Sequence, residues 1–134
     1  MYLALLNKRE KELFLGLAYD LASADGDYST EEQAVMNEYC QEMQFEFQIN
    51  TMVKKAETII DEIKKSSSDK VKKIFIFELI GLAMADGHFD AKERKLINKM
   101  EEEFDVESGL AKRCEEILTE YIAFQGRINQ LILG

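Results

Sequence analysis

Two segments of the chain carry carboxylates around an Asp-Gly pair: Ala24-Asp25-Gly26-Asp27-Tyr28-Ser29-Thr30-Glu31-Glu32 and Ala85-Asp86-Gly87-His88-Phe89-Asp90-Ala91-Lys92-Glu93. A Gly, an aromatic two residues on and a Glu four residues further match the latter half of an EF-hand loop. There the Gly makes a sharp turn, an apolar residue anchors the loop and the Glu closes an oxygen cage. The first half of such a loop is missing, because Leu21 and Ser23, then Leu82 and Met84, stand where the early oxygen ligands belong. One loop cannot supply the roughly 6–8 oxygens that Ca²⁺ takes, which leaves a weak site, a hydrated Mg²⁺ or a site shared between the loops. The same residues also serve a structural purpose. Ser29 with Glu32 and Asp90 with Glu93 have capping-box spacing, in which each side chain accepts the other's backbone N–H. Gly26 and Gly87 suit the left-handed residue that ends a helix, and Asp25 and Asp86 can accept turn N–H groups. Tyr28 and Phe89 read as plugs into the core.

Charge separates the two segments. Between positions 13 and 53 there is no Lys or Arg, yet Asp20, Asp25, Asp27, Glu31, Glu32, Glu38, Glu42 and Glu46 all occur. Such a face either holds a cation, steers a basic protein partner or simply keeps the molecule solvated. In the second segment Lys92 and Arg94 flank Glu93, so the candidate metal residues Asp25, Asp27, Glu31 and Glu32 should take a divalent ion before Asp86, Asp90 and Glu93 do. Catalysis has less support. His88 is the one histidine, and with Asp86, Asp90 and Glu93 it forms the only constellation for a metal-dependent hydrolase; no nucleophile has an evident base and no Gly-rich phosphate loop is present.

The whole chain carries 17 Lys and Arg against 26 Asp and Glu, a net charge of −9 that argues against a phosphate-tracking nucleic-acid binder and against an anionic membrane surface. With 134 residues, 46% of them apolar, it suits one domain with a real core. Cys40 and Cys114 lack metal-ligand spacing and read as reduced core thiols. The apolar run over 74–85 is too short to span a bilayer, and the opening Met1-Tyr2-Leu3-Ala4-Leu5-Leu6 lacks the pattern of a secretory signal, so the expectation is a cytoplasmic protein without membrane insertion.

The elements that position the acidic segments are helical, since no proline interrupts the chain and apolar residues recur at helical spacing. Asn7 and Glu10 form a capping box, and Leu13, Phe14, Leu17, Ala18, Leu21 and Ala24 share one stripe, predicting a helix over 8–24. A second helix follows Ser29 with Val35, Met36, Tyr39, Cys40 and Met43; a third starts near Asn50 with Met52, Val53, Ala56, Ile59, Ile60 and Ile63. After the break at Ser66-Ser67-Ser68-Asp69 the pattern recurs. A shift of 61 puts Phe14 on Phe75, Leu21 on Leu82, Ala24-Asp25-Gly26 on Ala85-Asp86-Gly87 and Glu32 on Glu93, and after a shorter connection Ile59, Ile60 and Ile63 match Ile117, Leu118 and Tyr121. The reading is a single domain, 1–134, whose repeats cover roughly 7–65 and 69–123 and pack about a pseudo-two-fold axis. A short seventh helix after Gly126, with Ile128, Leu131 and Ile132, would close over the bundle end. The helix over 74–85 should be the central one, with Ile76, Phe77, Ile80 and Met84 adding a second apolar face. Glu78 sits on its core stripe without a basic neighbour on the same helix, so it needs a partner from elsewhere in the fold or a functional use.

A helix ending in Ala-Asp-Gly, an aromatic two residues later and a Glu opening the next helix, present twice in register, resembles the TerB-like family associated with tellurite resistance and chemical stress. The resemblance covers most of the chain and implies an all-α bundle of about seven helices, here built from two pseudo-symmetric three-helix repeats. It also implies metal-ion binding through acidic residues, carried over to Asp25, Asp27 and Glu32 in the first copy and to Asp86, Asp90 and Glu93 in the second. The expectation is a non-enzymatic, stress-associated module that binds a divalent cation such as Ca²⁺ or Mg²⁺, or a partner protein, through paired Asp-Gly loops. The alternatives are a metal-dependent enzyme and an oligomerisation unit, a homodimer included, that uses residues 1–6 and 128–133.

Overall fold

The computed structural model describes residues 1–22, 30–45, 55–85 and 89–134, and every regular element among them is helical. A 3₁₀ turn at Leu3–Leu5 precedes α1 (Lys8–Ala22), α2 (Thr30–Met43), α3 (Ala56–Ser66), α4 (Asp69–Ala83), α5 (Ala91–Glu103) and α6 (Leu110–Leu133). The 61-residue shift carries both ends of α1 onto those of α4, and each helix is 15 residues long. The ends of α1 and α3 that the sequence places near Ala24 and Asn50 lie outside the described residues.

Local capping explains the helix starts. Asn7 Oδ1 accepts the Glu10 N–H at 2.8 Å while Glu10 Oε1 accepts the Asn7 N–H at 2.9 Å. The other oxygen of this buried carboxylate accepts the Ser67 hydroxyl at 2.8 Å, which ties the start of α1 to the α3–α4 connection. Ser68 caps α4 by accepting the Val71 N–H. At α6 the cap comes from outside its own turn: Glu101 Oε1 accepts the N–H groups of Gly109 at 2.7 Å and Leu110 at 3.1 Å, a carboxylate at the positive end of a helix.

Helix α4 packs against α1, α2, α5 and α6 and is the hub of the bundle. Phe14 on α1 and Phe75 on α4, equated by the 61-residue shift, meet edge to face with ring centroids 5.4 Å apart, and Tyr39 of α2 approaches Phe14 in the same way at 5.3 Å. Around them Leu13, Leu17, Leu21, Met36, Ile59, Ile63, Ile76, Leu79 and Ile80 complete a buried core. The expected stripes therefore face inward, although Val35, Cys40, Phe77 and Met84 are only partly buried against it.

Two expectations are corrected. No seventh helix begins after Gly126: α6 continues through that glycine to Leu133, and everything from Thr119 onward is exposed instead of closing over the bundle. Nor does the stripe of α6 copy that of α3. Leu118 is buried, but Ile117 is 58% and Tyr121 41% exposed, whereas Ile59, Ile60 and Ile63 are all buried. The reason lies in packing. Helix α6 runs alongside α4 in the same direction, with Ile74 sharing a groove with Leu110 and Cys114, and Gly81 sharing one with Leu118 and Tyr121. Because α4 ends at Ala83, no helix among the described residues is left to cover the second half of α6.

Candidate functional site

At the start of α5 the acidic residues are engaged with the backbone. Asp90 Oδ1 accepts the Glu93 N–H at 2.8 Å, and Glu93 Oε1 accepts the Asp90 N–H at 3.1 Å, which completes the capping box. Glu93 is buried, and Phe89 is half-buried against the core as the plug the sequence implies. Arg94 closes this corner. Its guanidinium lies 4.2 Å from the Phe89 ring centroid, donates to both Glu115 carboxylate oxygens at 2.9 and 3.1 Å and reaches the Phe89 carbonyl at 3.2 Å. Lys92 and Lys95 are exposed beside it. The corner is cationic at its rim, and Asp90 and Glu93 each commit one carboxylate oxygen to a main-chain donor. Asp86, Gly87 and His88 lie outside the described residues.

At the start of α2, Glu31 is exposed and Glu32 is buried, the same alternation as Lys92 and Glu93. Asp25, Gly26, Asp27, Tyr28 and Ser29 lie outside the described residues. Farther along α2, Glu38 and Glu42 extend the acidic surface. Asp20, near the end of α1, has its carboxyl pushed up by desolvation. Among the described residues no three His, Cys, Asp or Glu side chains converge in a way that would hold a metal ion.

A different carboxylate cluster joins α2 to α4. Glu78, which is buried, takes its partners from the first residues of the chain: Oε1 accepts from the Met1 nitrogen and from the Tyr2 N–H, both at 2.9 Å. Glu42 holds the same segment from the other side, accepting from the Met1 nitrogen at 2.9 Å and the Leu3 N–H at 2.7 Å. The buried Tyr39 hydroxyl donates to the Glu78 carbonyl at 2.7 Å. Burial, followed by the charges of Glu78, Glu42 and Glu38, pushes the Tyr39 phenol well above its ordinary range. Desolvation pulls the Met1 amine down, but its hydrogen bonds to Glu78 and Glu42 outweigh that, so it ends above its ordinary value. The sequence marks Glu78 as needing a partner and lists Glu42 among the acids of α2. The i, i+3 step from Tyr39 to Glu42 is the local sign that both face the same junction.

Two concave surfaces flank this junction. One, of about 370 Å³, is bounded by Glu38, Glu42 and Glu78 on one side and by Tyr121, Ile122 and Gln125 of α6 on the other. The second, of about 490 Å³, is an apolar groove floored by Leu5, Ile74, Phe77, Leu110 and Cys114, with Lys70 and Lys73 at its edge. Cys114 is a buried thiol, pushed up chiefly by desolvation, and Cys40 is partly buried; neither is in a disulfide, in keeping with the reading of reduced core thiols. Among the described residues no helix is long and apolar enough to cross a membrane.

No protein-family model and no curated protein matches the sequence. The fold does have a solved counterpart, a tellurite resistance protein from Nostoc punctiforme PCC 73102. It aligns with a TM-score of 0.65 and 19% identity over 96% of this chain and 84% of that one. That likeness shows the fold: this chain has the all-helical TerB-like architecture that its paired Asp-Gly motif implies.

Proposed function

We propose that this chain is a non-enzymatic, stress-associated binding module of the cytoplasm that takes a divalent cation or a basic partner protein at the first of its two Asp-Gly loops. The observation that carries the reading is the unequal charge of the two equivalent helix starts. Around α5 the acids are occupied as caps and Lys92, Arg94 and Lys95 crowd the corner. Helix α2 opens with Glu31 and Glu32, continues with Glu38 and Glu42, and has no Lys or Arg along its length. Two unit charges about 4 Å apart at a surface-like dielectric interact by about 4 kcal/mol, so a cation is drawn to one end and repelled from the other. The name of the N. punctiforme protein, tellurite resistance, supports a setting in chemical stress.

The apolar Leu21 and the lone hydroxyl of Ser23, where early ligands would stand, limit affinity to a weak range of roughly 10⁻⁴ to 10⁻³ M. Calorimetric titration of metal-stripped protein with Ca²⁺, Mg²⁺, Mn²⁺ and Zn²⁺ tests the cation, and Asp25→Asn is expected to weaken binding more than Asp86→Asn. No binding at millimolar ion, or binding that neither substitution changes, removes the cation and leaves the basic partner, which a polylysine titration examines. Turnover in a broad hydrolase screen that is lost with His88→Ala favours the metal-dependent enzyme instead.

A further inference from the structure

Beyond Gly81 of α4, helix α6 exposes Phe124 (53%), Ile128 (43%), Leu131 (82%) and Ile132 (71%), and before them Ile117 and Tyr121. The exposed apolar side chains on this side of the helix, Ile117, Tyr121, Phe124, Ile128, Leu131 and Ile132, present roughly 700 Å², against roughly 300–600 Å² for the largest patch of an ordinary monomer. Their order is regular. Leu110, Cys114, Ile117, Tyr121, Phe124, Ile128 and Leu131 follow one another at alternating steps of four and three, the seam of a two-stranded coiled coil. Residues 117–132 of this helix carry only two charges, Glu120 and Arg127, seven residues apart and therefore at the same flanking position of successive heptads.

We propose that the free half of α6 pairs with the same segment of a second copy, antiparallel, across a two-fold axis near its centre. In that register Tyr121 layers against the second copy's Phe124 and Ile117 against its Ile128. Antiparallel pairing brings like flanking positions face to face, so Glu120 meets the second copy's Arg127 and Arg127 meets its Glu120. One charge pair is thus made twice, as an isologous interface requires. The same register lays the second copy's Leu131 over Cys114, at the mouth of the apolar groove floored by Leu5, Ile74 and Phe77. The exposed stripe and the groove are therefore two halves of one contact. The apolar area available approaches the approximately 800 Å² per partner of a standard interface. A parallel pair would set Glu120 against Gln125 and leave both charges without a counterpart.

Sedimentation equilibrium of the full chain over about 1–100 µM is expected to show a dimer of the 15.5 kDa protein. Phe124→Asp should abolish dimerisation with the helical spectrum unchanged, since this ring is half exposed and does not support the core. Glu120→Arg and Arg127→Glu should each weaken the dimer about tenfold, and the double substitution should restore it, with the tenfold loss corresponding to about 1.4 kcal/mol. A monomer throughout the range, as expected if the stripe serves a membrane or an unrelated protein, overturns the proposal. So does a dimer that ignores Phe124→Asp, or one that Phe124→Asp breaks but the charge exchange leaves untouched, which is the parallel arrangement.

Discussion

The backbone N–H of Tyr2 donates to Oε1 of Glu78 at 2.9 Å, seventy-six residues away, and anchors the start of the chain to the hub helix. Met1 shares the same oxygen, Glu42 takes the Leu3 N–H, and the Tyr2 ring meets Phe77 edge to face at 5.7 Å. The result is a strap that ties the chain to α4 and seats Leu3, fully buried, in the turn packed on α2.

Removing the Glu78 carboxylate leaves the Tyr2 N–H without its acceptor and the Met1 amine with Glu42 alone. Glu78→Ala is therefore expected to destabilise the protein by about 2–4 kcal/mol, and Glu78→Gln by less, because an amide oxygen still accepts the Tyr2 N–H. Urea unfolding of the two variants measures this. Equal losses would show that charge alone matters; no loss would show that the strap contributes nothing to the folded state.

The raised Met1 amine sets a pH dependence for protein that begins at Met1. Its folded value lies above the unfolded 8.0, so the folded state holds a proton that the unfolded chain has released. The contribution is complete below about pH 8 and is lost as pH rises through the higher folded value. Tyr39 adds a second decline above its ordinary 10.0, with the same sign, because the buried phenol stays neutral while the unfolded one ionises. Denaturant midpoints should begin to fall as pH rises above about 8, and N-terminal acetylation should flatten the start of that fall. A midpoint that stays constant over that rise would contradict it.

Gln44 and Asp105, one residue for each repeat under the 61-residue shift, both adopt left-handed backbone, with φ of 52° and 53°. They end the helices that carry Met43 and Phe104 into the core. An L side chain at such a φ costs about 1–2 kcal/mol, part of which glycine returns as extra freedom of the unfolded chain. Gln44→Gly should raise stability by on the order of 0.5–1 kcal/mol, and Asp105→Gly by less, since Asp tolerates this region better than Gln. Thermal melts of both variants decide it, and a lower melting temperature for Gln44→Gly would refute the strain.

Gly126 sits inside α6, where an added Cβ meets nothing within 4 Å. Alanine there should favour the helix by about 0.5–1 kcal/mol. Measured in the Phe124→Asp background, where no second copy covers the second half of α6, the gain should appear locally, as amide exchange over 119–133 slowed roughly threefold to fivefold, more than as a higher global melting temperature. Unchanged exchange would mean that the segment is held by something other than its own helical propensity.

What the sequence determined by itself is whatever depends on neighbours within one or two turns. The boxes at Asn7–Glu10 and Asp90–Glu93, the break at Ser66-Ser67-Ser68-Asp69 and the inward stripes of α1 to α5 need only contacts three or four residues apart, and each is legible as spacing. The TerB-like fold follows from the same regularities repeated once. The acidic candidates were legible as well, but Asp90 and Glu93 show that one spacing serves a cap as readily as a ligand set, and only the fold reveals where the oxygens point. Tertiary structure alone decided the partner of Glu78, because nothing in the helical pattern connects it to nitrogens seventy-six and seventy-seven residues away. It also decided the course of α6. A stripe of apolar residues records that a face is to be covered, not what covers it, and since α4 ends at Ala83 the face running from Tyr121 to Leu131 is left to the surface. Helical propensity, a local quantity, could mark Gly126 only as a weak point, and the helix runs through it to Leu133.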